Sequence, residues 1–176
     1  MYWQIDDAHS EINFTVRHMM IAKVRGQFEQ FSGTIEFDPD QPENTTVDVQ
    51  IVSNSINTRE EDRDNHLRSP DFLNAEEYPY LTFKSTAVEL TSENTARLTG
   101  DLTIRDVTKA IKFEVKYNGT ISMGEGKGRK AGFKITGSVD RFDYGLKYDR
   151  IIEAGGLAVS RDIAITCNVE LNEVNE

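Results

Sequence analysis

A single cysteine, Cys167, rules out a disulfide within this chain and leaves no thiolate cluster to hold a metal ion. With no histidine or lysine beside it in sequence, it reads as a small hydrophobe in a strand and not as a reactive thiol. Histidine is scarce too: His9, His18 and His66 stand at none of the spacings that build a zinc site, such as HExxH or HxH. There is no G-x-S-x-G elbow, no P-loop and no dinucleotide fingerprint. Gly124-Glu125-Gly126-Lys127-Gly128 resembles a phosphate loop only in composition. It falls between strand-like segments with no helix to supply a dipole, and reads as a hairpin loop. Cations are in short supply: 20 Lys and Arg face 30 Asp and Glu, a net charge of -10. That balance excludes a general nucleic-acid binder, which needs a cationic surface. It also argues against docking on anionic lipid headgroups through electrostatics alone, and the acidity reads as a solubility feature. Nothing approaches ~20 consecutive apolar residues, so no integral membrane segment is expected. The opening Met1-Tyr2-Trp3-Gln4-Ile5-Asp6 lacks a basic stretch followed by an apolar run, so no signal peptide is read. The chain as written is expected in the cytoplasm, or in the periplasm if a leader has been removed.

What is present is alternation. The length of 176 residues suits one domain spanning 1–176. Ile12, Phe14 and Val16 alternate with polar neighbours, as do Val47, Val49 and Ile51, then Leu81 and Phe83. The same period runs through Leu98, Leu102 and Ile104, through Ile111, Phe113, Val115 and Tyr117, through Phe133, Ile135 and Val139, and through Ile163 to Leu171. One apolar and one polar face per strand is the pattern of an antiparallel sheet. With Tyr2–Asp6 and the stretch Val24–Phe37, about eight or nine strands are predicted. They are separated by turn signals at Asp38–Pro42, Ser92–Asn94, Arg105-Asp106 and Gly124–Gly132. One segment departs from this period. Thr58-Arg59-Glu60-Glu61 fits a capping box with Thr58 as N-cap, which predicts a short helix through about Leu67. Ser69-Pro70 then predicts one further helical turn through Phe72 and Leu73.

Strands with a single apolar face either stack as two sheets or close on themselves. Glycines inside strands at Gly26, Gly33, Gly100 and Gly137 relieve bends and favour closure into a barrel, although periodicity alone leaves the sandwich open. The inward candidates include Phe14, Val16, Phe28, Phe31, Phe83, Phe113 and Phe133. A barrel of about eight strands holds either its own side chains or one small ligand, and both readings stand at this point. The polar constellation is Arg59, Arg63, Asp64, His66 and Arg68, with Arg59, Arg63 and His66 on one helical face and Asp62 at pairing distance from His66. It reads either as a gate for a ligand headgroup or as a solvated helix laced with ion pairs. His18 continues the Phe14–Val16 alternation inward, or ends its strand as a hydrogen-bonded structural histidine.

A run of motifs carries a resemblance. Arg63-Asp64-Asn65-His66-Leu67-Arg68-Ser69-Pro70-Asp71-Phe72-Leu73, then Tyr78-Pro79 and Leu81–Ser85, is similar to the signature of the YceI family of polyisoprenoid-binding proteins. Asp7–Met20, Val24–Gly33, Gly100–Lys109, Asp140-Arg141 with Tyr144-Gly145-Leu146, and Glu153–Leu157 follow in the family's order. The resemblance covers about Trp3 to Leu171, with two departures: Leu73 where a second aromatic is common, and Asp106 where glycine is common.

The resemblance implies an all-β fold, an extended antiparallel lipocalin-like barrel of about eight strands with a short helical excursion near residues 59–74. Its interior would hold an isoprenoid quinone or a related lipid, a polyisoprenoid or fatty chain, with no cofactor required, no catalytic or metal-binding residue, and a homodimer as the assembly. Interior contacts are then expected from Phe14, Val16, Phe28, Phe31, Val49 and Ile51. Phe72, Leu81, Phe83, Leu102, Phe113 and Ile135 complete that set, and His18, Arg63, Asp64, His66 and Arg68 are expected at the polar mouth. Two other readings compete with carriage: an enzyme using His18 or His66 as general base, and a ligand-free interaction protein whose barrel is filled by its own side chains.

Overall fold

Period-two alternation gives each strand one face that must leave water, and a sheet of such strands buries all of them at once by closing. The computed structural model describes residues 1–19, 21–148 and 159–175. Its strands are β1 Tyr2–Ile5, β2 Glu11–His18, β3 Ala22–Phe28, β4 Phe31–Glu36, β5 Thr46–Val52 and β6 Ile56–Asn57. After the helix α1 (Glu61–Arg68) come β7 Tyr80–Leu90, β8 Thr95–Ile104, β9 Val107–Ser122, β10 Arg129–Asp140 and β11 Asp162–Glu173.

Every pairing among the described residues is antiparallel, and the order β1-β4-β5-β7-β8-β9-β10-β11 returns to β1, which closes a barrel of eight strands. β2, β3 and β6 extend its upper half. β11 pairs β1 through Leu171–Glu173 and β2 through Ala164–Asn168, so β1 and β2 are two halves of one bent strand. β3 and β4 divide in the same way at Glu29-Gln30, and β5 and β6 at the 3-10 turn Ser53–Ser55. Reading Val24–Phe37 as one stretch therefore merges two segments with different partners.

Among the described residues β6 pairs only with β3, at Gln27↔Asn57 and Phe28↔Ile56. The gap between β6 and β7 is crossed by α1 and the turns after it. The helix differs from its predicted start. Its N-cap is Glu60, whose carboxylate accepts from the backbone N–H groups of Asp62 and Arg63. Thr58 lies outside the helix and is bound instead by Asp64. Ser69-Pro70 begins hydrogen-bonded turns and not a second helix: Phe72 and Asn74 both donate to the Ser69 carbonyl.

The strand glycines also serve a second purpose. A Cβ on Gly100 would stand 2.4 Å from the Phe83 ring, and one on Gly137 would stand 2.4 Å from the Phe113 ring. These glycines are seats for phenyl rings as much as bends. The lower end is plugged by Trp3, which is fully buried with its indole N–H donating to the Phe37 carbonyl at 2.8 Å. Phe37 packs edge-on against Tyr117 and Phe133. The two-residue β8–β9 turn sits at Arg105-Asp106 as the sequence indicates, with Arg105 in the left-handed region at φ 54. The Glu153–Leu157 motif and Met20 lie outside the described residues.

Candidate functional site

The barrel interior is divided in two. The larger chamber, about 550 Å³, occupies the upper half beneath α1. The smaller, about 200 Å³, occupies the lower half, near the loops at Pro39, Pro42 and Glu93–Thr95. Strand by strand, the residue pairs flanking the division can be read directly. On β5 Val49 faces the smaller chamber and Ile51 the larger; on β8 Leu98 and Leu102 do so, with Gly100 between them; on β10 Ile135 and Val139, with Gly137 between. At that level Phe83 and Phe113 meet edge to face at 5.5 Å, each ring lying over one of those glycines. They line neither chamber. They form a septum.

This division sorts the expected interior residues. Phe14, Val16, Phe28, Ile51, Phe72, Leu81 and Leu102 line the larger chamber. Val49 and Ile135 line the smaller one. Phe31 packs against the main core from β4, while Phe83 and Phe113 are core members that separate the two spaces. Leu73, the departure from the family pattern, is buried and lines the larger chamber next to Phe72.

The expected polar mouth also divides. His18, Arg63 and His66 line the larger chamber, joined by Asp62 and Thr58. His66 does not pair with Asp62: its Nε2 is 2.8 Å from Asp71 Oδ2, and its ring meets Phe72 and Tyr148 edge to face at 5.1 and 4.7 Å. Asp64 is buried and turned away from the chamber, with one carboxylate oxygen accepting from the backbone N–H (2.8 Å) and hydroxyl (2.5 Å) of Thr58. Arg63 donates to the same Thr58, through Nε to the hydroxyl and Nη2 to the carbonyl. Arg68 donates to the carbonyls of Asn54 and Ile56 and is absent from the chamber wall. Asp64 and Arg68 thus fasten α1 to the β5–β6 edge. Both carry charge on a short helix, which is why they resemble gate residues in sequence.

Arg141 is the wall residue that sequence reasoning passed over, except as part of a motif. It is 2 % exposed. Its guanidinium donates to the carbonyls of Leu146 (2.7 Å), Tyr148 (2.8 Å), Val159 (3.0 Å) and Ser160 (3.0 Å). Charge-assisted bonds of this kind are roughly twice as strong as neutral ones, and here they draw two distant stretches of chain against the chamber. Below it Cys167 lies on the inward alternation of β11, where burial pushes its thiol up to about 12 and keeps it unreactive.

Among the described residues, one group has metal-ligand character: Asp6, His9 and Glu170, on the outside of the barrel. Lys130 Nζ already stands 2.7 Å from Asp6 and 3.6 Å from Glu170, so the carboxylates are met by an ammonium. That hydrogen bond, with a second from His9, holds the Asp6 carboxyl well below its usual range.

The fold and its cavities define a closed eight-stranded barrel with an apolar interior and a polar group at one mouth, the build of a small-molecule binding protein. Residues 3–171 match the YceI-like domain, and this chain belongs to that family. It is 34% identical over 167 residues, 95% of each chain, to UPF0312 protein SA2479 of Staphylococcus aureus. The YCEI protein of Campylobacter jejuni is 34% identical and superposes with a TM-score of 0.78 over 97% of this chain and 96% of that one. A polyisoprenoid binding domain from Saccharophagus degradans shares the fold at 16% identity, with a TM-score of 0.74 over 98% of both chains. Among the described residues, no helix is long and apolar enough to cross a membrane.

Proposed function

We propose that this protein binds and carries an amphiphile with a long apolar chain, an isoprenoid quinone or another polyisoprenoid. The chain would lie in the larger chamber and the headgroup beside His66 and Arg63. The observation that carries this reading is a space of about 550 Å³, walled mainly by aliphatic and phenyl side chains, with Asp62, Arg63 and His66 of α1 among its few polar groups. Such a volume falls within the range of about 300–1,000 Å³ typical of small-molecule sites. Each buried methylene contributes roughly 0.8 kcal/mol, so a prenyl tail supplies most of the affinity and the headgroup mainly sets orientation. The polyisoprenoid binding of the S. degradans domain supports the same reading through a shared fold. Carriage or storage of this kind calls for no cofactor and no catalytic group. A homodimer accompanies the proposal on family resemblance, and light scattering tests it by mass.

The experiment is native mass spectrometry on protein purified without detergent, followed by organic extraction. A stoichiometric lipid-sized adduct is expected. A clean unliganded mass that stays clean after incubation with long-chain quinones and fatty acids would replace carriage by the filled-barrel reading. His66→Ala is expected to weaken binding of a quinone while leaving a headgroup-free hydrocarbon of equal length unaffected.

One observation favours a second reading. His66 and Asp71, 2.8 Å apart at the chamber, have the arrangement of a general base and its orienting carboxylate. Turnover of a bound isoprenoid, abolished by His66→Ala, decides for an enzyme; recovery of the ligand chemically unchanged decides against one.

A further inference from the structure

Between Ile12 and Phe28 the chain carries Arg17, Lys23 and Arg25 and no acidic residue, in a protein where acids outnumber bases by 30 to 20. In the β2–β3 register Arg17 lies directly opposite Lys23, with Arg25 two places along on the same outward face. Like charges placed directly across a strand pair are destabilising. All three side chains are exposed, and among the described residues none of them forms a salt bridge. The cations of β10 differ in this respect: Arg129 and Lys130 are closed by Glu173 at 2.9 Å and Asp6 at 2.7 Å. Alongside β2, β11 presents Ala164 and Thr166 opposite Thr15 and Asn13, and its first residue, the exposed Asp162, comes next toward Arg17 but forms no salt bridge with it among the described residues. The tip of the hairpin is apolar. Ile21 is 91 % exposed and Met19 37 %, and Ile21 donates its N–H to the His18 carbonyl to close the turn. Directly inside this tip, Val16, His18 and Val24 line the larger chamber.

We infer that the β2–β3 hairpin is a docking surface for an anionic lipid bilayer, with Ile21 and Met19 entering the interface and Arg17, Lys23 and Arg25 meeting the headgroups. The overall acidity of the chain does not forbid this. Charges beyond about 8 Å are largely screened at physiological ionic strength, so the local balance governs contact. The acids on neighbouring elements, Asp62 of α1 and Asp162 of β11, stand outside the hairpin itself. Each Lys or Arg near an anionic surface strengthens partition about fivefold, which makes three together worth on the order of a hundredfold. The position at the chamber mouth gives docking a use, the exchange of a lipid between bilayer and barrel. Only that use rests on the carrier proposal; the docking itself is measured without reference to the cavity.

Sedimentation with phosphatidylcholine vesicles, with and without a phosphatidylglycerol fraction, tests the surface. The protein is expected to bind the anionic vesicles and to leave them as salt is raised. Lys23→Ala/Arg25→Ala is expected to weaken that binding roughly 20-fold, and Ile21→Ser roughly tenfold. A second like-charged pair, Lys116 opposite Lys134 on β9 and β10, removes the same charge from the barrel wall outside the β2–β3 hairpin. Lys116→Ala/Lys134→Ala is therefore expected to bind as the parent does. Equal losses in both double variants, or equal binding to neutral and anionic vesicles, would overturn the inference. A result of vesicle binding without any extractable ligand would leave docking standing and remove carriage alone.

Discussion

Phe113→Ala tests the septum. The ring is 8 % exposed and meets Phe83 at 5.5 Å over the seat made by Gly137. Truncating a core phenylalanine destabilises by about 3–5 kcal/mol, with the upper end reached when the walls do not collapse into the space. Here the walls are strands of a closed barrel, which cannot move together independently, so a loss near 4 kcal/mol is reasoned. For a chain of this length that lowers the melting temperature by roughly 10 °C. The functional consequence runs the other way. With the ring gone, spaces of about 550 and 200 Å³ join along one axis. One further isoprene unit, five carbons, then regains about 4 kcal/mol on burial. Two assays are needed: thermal denaturation without ligand, and affinity across a series of quinones of increasing tail length. The parent protein is expected to stop gaining affinity once its larger chamber is full. Phe113→Ala is expected to continue gaining for at least one unit more. Gly137→Ala, whose Cβ would press on the same ring at 2.4 Å, is expected to destabilise by about 1–3 kcal/mol without extending the series. If affinity in the parent already climbs evenly through all lengths, the rings do not divide the interior and the reasoning fails.

Other expectations follow from the same geometry. Arg141→Met removes donors from four carbonyls at a site 2 % exposed, and a loss of about 3–5 kcal/mol in denaturant unfolding is expected; a loss below about 1 kcal/mol would show that water replaces the guanidinium easily. Tyr144 is 1 % exposed with its hydroxyl bonded to nothing among the described residues, and burial pushes its pKa up to about 12. Tyr144→Phe should therefore be neutral or stabilising by about 1 kcal/mol, and a clear drop in melting temperature would reveal a partner for the hydroxyl. Asp6→Asn should lower stability at neutral pH by about 1–2 kcal/mol, because the carboxylate hydrogen-bonded to Lys130 titrates below its ordinary 3.8. A depressed carboxylate stabilises above its unfolded pKa and ceases to do so as the pH falls through the folded one. The gap between parent and variant should thus narrow as unfolding is measured at successively lower pH beneath 3.8; a gap independent of pH would assign the effect to shape and not charge.

Much of the barrel is legible in alternation, since a strand's burial period is a property of the strand alone. Ile12, Phe14 and Val16, or Phe133 and Ile135, point inward in whichever closed sheet they join. The breaks are less legible. Asp7–His9 and Ser53–Ser55 interrupt strands through 3-10 turns whose residues are ordinary in either setting, and only the change of pairing partner exposes them. The helix is legible in sequence, but the pattern places its cap at Thr58, because a hydroxyl three residues before a glutamate is a capping box. The fold gave that hydroxyl to Asp64 and Arg63 and left the cap to Glu60.

The candidate site shows the same division more sharply. That the inward strand faces would be apolar and phenylalanine-rich is legible in composition and period; whether the Arg- and His-bearing helix lies over a chamber is not, since a solvated helix has the same pattern. That the interior forms two chambers and not one was decided by four residues from different strands, Phe83, Gly100, Phe113 and Gly137, meeting at one level of the barrel. No local pattern encodes that meeting, because register between strands sets it. Arg141 was hidden for a related reason: its partners are backbone carbonyls, which every residue possesses and no sequence displays. Side-chain chemistry belongs to the sequence, but which atoms stand within hydrogen-bond or van der Waals reach is set by closure of the sheet.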